Sequence, residues 1–352
     1  MTIEEVYEYT YSTAEVYSNA VKAKIASSML VDGVTTKKKA EAGNKIYVGD
    51  RGDENTLIYC LKHNLEQITK YIELWEFIKN YKYSILFELP NGFDIGEKIS
   101  ELINTNVITE YNRSASVRQL NSTIMCPEKY ENENAYYLKF LTKLEGIDSR
   151  GARRKKRNAA VIRIYKDLNV VEIRFDAIEN YFDINKSTYI NDIIAWMRTY
   201  ISNDITAFDV YDVLDYIKEN GKSDGVIPSW QSMKMSNGSE ATIGIGNKGN
   251  LELPFIDEMK AMLREYNEEL DNSPHFKAAF EEYINDRAES EYPIIEFLFM
   301  NRRIEVKFIK EYDGNDWCLM QHCASNLQSN IGEERMCYVT RYIIDVARRI
   351  SE

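Results

Sequence analysis

The chain has 352 residues, 44% apolar and 28% charged, with a formal net charge of −12. These proportions exclude a fibrous or wholly disordered chain, and a chain of this length buries a large core without disulfide staples. The acidic balance opposes non-specific coating of polyanions, so any nucleic-acid contact has to come from a local basic patch.

The N-terminal residues Met1, Thr2, Ile3, Glu4 and Glu5 lack the basic-then-apolar order of a signal peptide. No apolar run approaches the roughly 18 residues that span a bilayer. Tyr7, Tyr9 and Tyr11 alternate with polar residues and predict a short strand, and Ala14 to Leu30 predicts a helix. From Asp53, read as an N-cap, the apolar positions Leu57, Leu61, Leu65, Ile68, Ile72, Trp75 and Ile78 fall at helical spacing, with His63-Asn64 as a break. A strand over Tyr83 to Leu89 is stopped by Pro90-Asn91-Gly92, and Asp94 opens the next helix.

The middle of the chain is β-rich. Tyr136 to Leu144 predicts one strand. Ala160 to Tyr165 and Val170 to Phe175 predict a hairpin around Lys166-Asp167-Leu168-Asn169, with Arg163, Glu172 and Arg174 as candidates for cross-strand charge pairs. Helices follow over Tyr189 to Ile201 and Ala207 to Lys218. Ser229 to Ile245 returns to strand with a turn at Asn237-Gly238. Phe255 to Leu270 and Pro274 to Ala288 are helical, Pro274 at the first helical position. A second hairpin joins Ile294 to Phe299 with Ile304 to Ile309, and Glu333 to Ile350 forms a long amphipathic helix. The strand Val171 to Phe175 overlays Ile304 to Phe308 in pattern, as a duplicated unit would, or as any two half-buried strands would.

The fold class expected is α+β, with antiparallel hairpins interleaved with helical pairs, a mostly helical N-terminal region and a long C-terminal helix. Three regions are expected: a helical domain over 1–118, a β-rich region over 119–182, and an α+β domain over 183–352.

Four patterns carry chemistry. Arg150, Arg153, Arg154, Lys155, Lys156 and Arg157 place six cations within eight positions of an acidic chain, between two strands, which reads as a basic hairpin loop able to clamp a phosphate backbone. The competing reading is a loop solvated or paired with the protein's own acids. Tyr136, Tyr137 and Tyr165 offer base-stacking faces, though as strand residues they fit the core better. Glu305-Val306-Lys307 is an E-x-K on a strand, and with Glu296 on the partner strand, or Asp286 just before it, it has the make-up of a metal-dependent nuclease site. The same alternation is simply the polar face of a half-buried strand. Gly244 to Gly249 spells G-x-G-x-x-G, but residues 250–254 intervene before any helix, which argues for a turn and not a dinucleotide site. Cys318, His322, Cys323 and Cys337 have irregular spacing for zinc and read better as buried thiols around Trp317. The five cysteines are scattered and odd in number, as in a reducing compartment.

The function expected is that of a non-catalytic nucleic-acid-binding or complex-forming accessory protein of a microbial DNA-related or phage-defence system, the microbial setting resting on composition alone. A metal-dependent, restriction-like nuclease using Glu296, Glu305 and Lys307 is the first alternative, with a divalent metal as its cofactor. A protein-protein interaction module built on the 25 tyrosines is the second. The first reading needs no metal or other cofactor. It takes nucleic acid, a protein partner or a second copy as partner, excludes a membrane, and places the chain in the cytoplasm.

Overall fold

The computed structural model describes residues 3–112, 126–234, 240–244, 254–288, 291–323 and 332–351. Their architecture is α+β. The chain divides into two compact units, Met1–Phe208 with Ala324–Thr340, and Asp209–Cys323 with Arg341–Glu352. The division expected near 182 falls inside the first unit, and that near 118 lies outside the described residues. Among the described residues no helix is long and apolar enough to cross a membrane.

The first unit opens with α1 (Ile3–Val16) and α2 (Asn19–Val31), followed by a small parallel pair, β1 (Thr35–Thr36) and β2 (Ile46–Tyr47). The strand expected around Tyr7 to Tyr11 is helix. Val6, Tyr9, Thr10, Thr13 and Ala14 are all buried, at the i, i+3, i+4, i+7, i+8 spacing of one helical face, and this outweighs five residues of alternation. The helix expected over Ala14 to Leu30 is two, divided where the Ser18 side chain accepts from the Val21 N–H and caps α2.

Then come α3 (Asp53–His63) and α4 (Leu65–Ile78), split where expected because Asn64 caps α4 by accepting from the Gln67 N–H. Asp53 is the first helical residue, and the N-cap is Gly52. The rest of this unit is β3 (Tyr83–Glu88), α5 (Ile95–Asn104), β4 (Thr109–Glu110), β5 (Glu128–Glu131), β6 (Ala135–Ile147), β7 (Arg153–Tyr165), β8 (Val170–Phe175), α6 (Lys186–Tyr200) and β9 (Thr206–Ala207). Within the unit the strands lie in the order β3-β8-β7-β6-β5-β4, with β9 on β3.

The two faces of this sheet differ in kind. One carries Leu138, Phe140, Ile162, Ile164 and Ile173, and Phe140 meets Trp196 of α6 edge-on at 5.1 Å. The other carries Lys139, Arg157, Arg163, Glu172 and Arg174, every one of them buried. Register fixes this assignment: Ile162 lies opposite Leu138 and Ile173, whereas Arg163 lies opposite Tyr137 and Glu172.

The second unit contains α7 (Tyr211–Asn220), β10 (Val226–Lys234), β11 (Glu240–Gly244), α8 (Pro254–Glu265), α9 (Asn267–Asp271), α10 (Pro274–Ala288), β12 (Glu291–Phe299), β13 (Ile304–Ile309) and β14 (Leu319–His322). Its strands run β11-β10-β12-β13-β14, antiparallel throughout. Ile295, Phe297, Phe299, Ile304, Val306 and Phe308 form its buried layer. The last helix, α11 (Glu334–Ser351), supplies Glu334 to Thr340 to the first unit and its remainder to the second. There Tyr342 packs edge-on against Phe299 at 5.4 Å.

Candidate functional site

The basic run is not a loop. Only Arg150 to Ala152 lie in the turn, and from Arg153 onward the run is the first third of β7, pairing residue by residue with β6 from Ile147 downward. Asp148 builds the turn. Its Oδ1 accepts from the N–H groups of Arg150 (2.9 Å) and Ala152 (3.0 Å), and its Oδ2 accepts from Arg154 Nε (2.7 Å). These bonds, that from Ala152 first, hold its carboxyl below the usual aspartate range. Gly151 takes the left-handed φ of +78° that closes the turn.

Most of the run is spoken for by the protein's own acids. Arg154 pairs with Asp148 at 2.7 Å, Lys155 with Glu8 at 2.7 Å and Lys156 with Glu179 at 3.5 Å. Arg157 is interior. Its Nε and Nη2 form a two-pronged bond to Glu76, each at 2.7 Å, with Glu73 at 3.6 Å and Thr10 at 3.5 Å. Arg150 and Arg153 are the exception. Both are exposed, and neither guanidinium is paired with a described residue.

An aromatic side chain stands beside this tip. Gly146 of β6 bridges Phe182, and a Cβ at Gly146 would sit 1.9 Å from the carbonyl oxygen of Tyr181. Only glycine lets the two backbones approach so closely. Tyr181 is 37% exposed and feels the charges of Arg154 and Asp148. By contrast Tyr137 and Tyr165 are core residues, and Tyr136 lies against Lys129 and Lys166.

Beneath the run lies a buried ionic network that the sequence did not announce. Lys139 Nζ donates to the Glu73 carbonyl oxygen at 3.0 Å and lies 3.6 Å from Glu76 and 3.4 Å from Glu128. Three carboxylates (Glu73, Glu76, Glu128) thus face two cations (Lys139, Arg157), and burial pushes the Glu73 carboxyl above its usual range. A second network joins Arg163, Arg174, Glu172 and Glu333. Arg174 bonds Glu172 at 2.6 Å and Glu333 at 2.7 Å, and Arg163 bonds Glu333 and the Tyr137 hydroxyl. Arg163 and Glu172 face each other across the ladder, yet the carboxylate that Arg163 bonds is Glu333. Both networks sit inside the first unit with their side chains at most 13% exposed, so they hold helices to sheet and present no surface to a ligand.

The nuclease candidates share one face of the second unit's sheet. Lys307 lies opposite Glu296 in register, their charged groups 3.9 Å apart, and Lys307 Nζ rides 4.2 Å over the Trp230 ring. Glu296 also accepts from the Ser229 hydroxyl at 2.9 Å. Glu305 is exposed and pairs with neither. Among the described residues no group of three or more His, Cys, Asp or Glu is placed to hold a metal ion. Cys318 is buried beside buried Trp317, and burial pushes its thiol up to about 12. His322 is buried as well, while Cys323 and Cys337 are half-buried. The glycine-rich pattern beyond Gly244 lies outside the described residues, as does the Asn237-Gly238 turn.

No protein-family model matches the chain, and no curated protein matches it either.

Proposed function

We propose that the chain is a non-catalytic accessory protein that contacts a nucleic-acid backbone with the tip of the β6–β7 hairpin. What carries this reading is the pair Arg150, on the turn pinned by Asp148, and Arg153, at the start of β7, two guanidinium groups unpaired among the described residues, beside the half-exposed Tyr181. Arginine offers planar, bidentate contacts to phosphate, and an aromatic face at the same place suits an unpaired base. The other four cations of the run belong to the fold, so the footprint is small, on the order of two or three phosphates.

The test is binding to labelled single- and double-stranded DNA and RNA across a salt series. Wild type is expected to bind with a shallow salt dependence, each phosphate contact adding about 0.7 to 0.9 to the log–log slope. Arg150→Ser with Arg153→Ser should weaken binding about tenfold or more and lower that slope by about 1.4 to 1.8. A wild type that binds no nucleic acid at low salt would sink the proposal, and so would a double variant that binds as well as wild type.

A further inference from the structure

Also in the first unit, one face of α3 and the adjoining ends of α1 and α2 line an open, solvent-facing cavity of about 740 Å³. Asn55, Ile58, Tyr59 and Lys62 recur along a single helical face, with Arg51 just ahead of the helix, Glu15 on the last turn of α1 and Lys22 on the first turn of α2. Three cations and one carboxylate give this wall a charge of +2 in a chain of net −12. The cations are held in place by neutral partners. Arg51 Nη1 donates to the Val48 carbonyl oxygen at 3.0 Å while its guanidinium lies 3.7 Å from the Tyr59 ring centre. Lys22 Nζ donates to the Glu15 carbonyl oxygen at 2.8 Å, and Lys62 lies 5.5 Å from the Tyr11 ring centre. None of the three forms an ion pair with a described carboxylate.

We propose that this cavity binds a small phosphorylated molecule bearing hydroxyl groups, such as a sugar phosphate or a nucleoside monophosphate. A phosphate monoester carries about −1.5 to −2 at neutral pH, which matches the wall's excess charge. The volume falls within the roughly 300–1,000 Å³ of small-molecule sites, so phosphate alone leaves most of it unused. Glu15 and Asn55 are positioned to take hydroxyl or amino hydrogens, and Ile58 with the edge of Tyr59 supplies an apolar wall.

Isothermal titration of the full chain with ribose 5-phosphate, adenosine monophosphate, adenosine and inorganic phosphate tests this directly. At least one of the two organic phosphates should bind with Kd below about 1 mM, and adenosine and inorganic phosphate should each bind at least about tenfold more weakly. Arg51→Ser with Lys62→Ser, both on exposed residues, should abolish that binding without changing the circular dichroism spectrum. Lys22→Ser alone should weaken it, and Arg150→Ser with Arg153→Ser should leave it unchanged. No binding of either organic phosphate at millimolar concentration would overturn the proposal. So would adenosine or inorganic phosphate matching the organic phosphates, or a folded Arg51 and Lys62 double variant that binds like wild type.

Discussion

Two strands of this protein are written in nearly the same words. In β8 the sequence Val171-Glu172-Ile173-Arg174-Phe175 follows an apolar strand and a polar turn, and in β13 Ile304-Glu305-Val306-Lys307-Phe308 does the same. Their surroundings are opposite. Glu172 and Arg174 are completely buried, whereas Glu305 is exposed and the Lys307 side chain is 25% exposed. Alternation therefore fixes which residues share a face and says nothing about what covers it. The charges of a covered polar face have to find partners, because an unpaired ion in the interior costs several kcal/mol. In β8 the matching comes from Glu172, Arg174 and Arg163 together with Glu333, Tyr137 and Tyr165. An uncovered face needs no such matching, and among the described residues Glu305 goes without.

The largest expected effect breaks the covered strand. Arg174→Ala leaves Glu172 and Glu333 without their shared cation and should destabilise the fold by about 3–5 kcal/mol in urea unfolding. Glu172→Leu with Arg174→Met, which removes a charge of each sign and keeps the bulk, should lose much less. Equal losses in the two variants would mean that packing at this site matters more than pairing.

A smaller effect appears with pH. Burial alone would raise the Glu333 carboxyl, but Arg174 and Arg163 hold it below its ordinary value of 4.5. A lowered folded-state value stabilises above the unfolded value and is lost as pH falls through the folded one. Wild type should therefore lose stability below about pH 4.5, and Glu333→Gln should flatten part of that loss while starting from a lower plateau. An identical pH profile in the variant would remove Glu333 from the account.

The smallest effect lies in the open strand. Lys307→Met breaks a 3.9 Å pair with Glu296 on a partly exposed face and should change stability by less than about 1 kcal/mol. A loss of several kcal/mol would make β13 as covered as β8 and erase the contrast between them.

Much of the fold was legible because its punctuation is local. Asn64 divides α3 from α4, Asp94 caps α5 by accepting from the Glu97 N–H, and Pro274 starts α10, each acting within about one helical turn of its own position. The N-terminal helix is masked in the sequence because Tyr7, Tyr9 and Tyr11 form a short period-two pattern that only the wider burial of α1 overrules. The basic run stands out in the sequence, but its division into two arginines unpaired among the described residues and four tethered cations does not. The acids that claim Arg157 stand on α4, 81 residues earlier for Glu76, and no local spacing signals that pairing. Glu73 and Glu76 lie three residues apart on α4, among its apolar positions. The helix is in fact buried on several sides, and the spacing of apolar residues alone does not reveal that. The cavity wall has the same character, since Lys22, Arg51 and Lys62 belong to separate segments.

Glu333 reaches Arg163 across 170 residues of sequence, and the whole of residues 209–323 lies between them as part of the other unit. During synthesis the ionic face of the first unit therefore stays open until the second has been almost entirely translated. Through that interval Arg163 and Arg174 have only Glu172 as a buried counter-ion among the partners they hold in the finished fold. The closing of the first unit is thus a late, long-range event, of the kind that delays folding and exposes a chain to trapping.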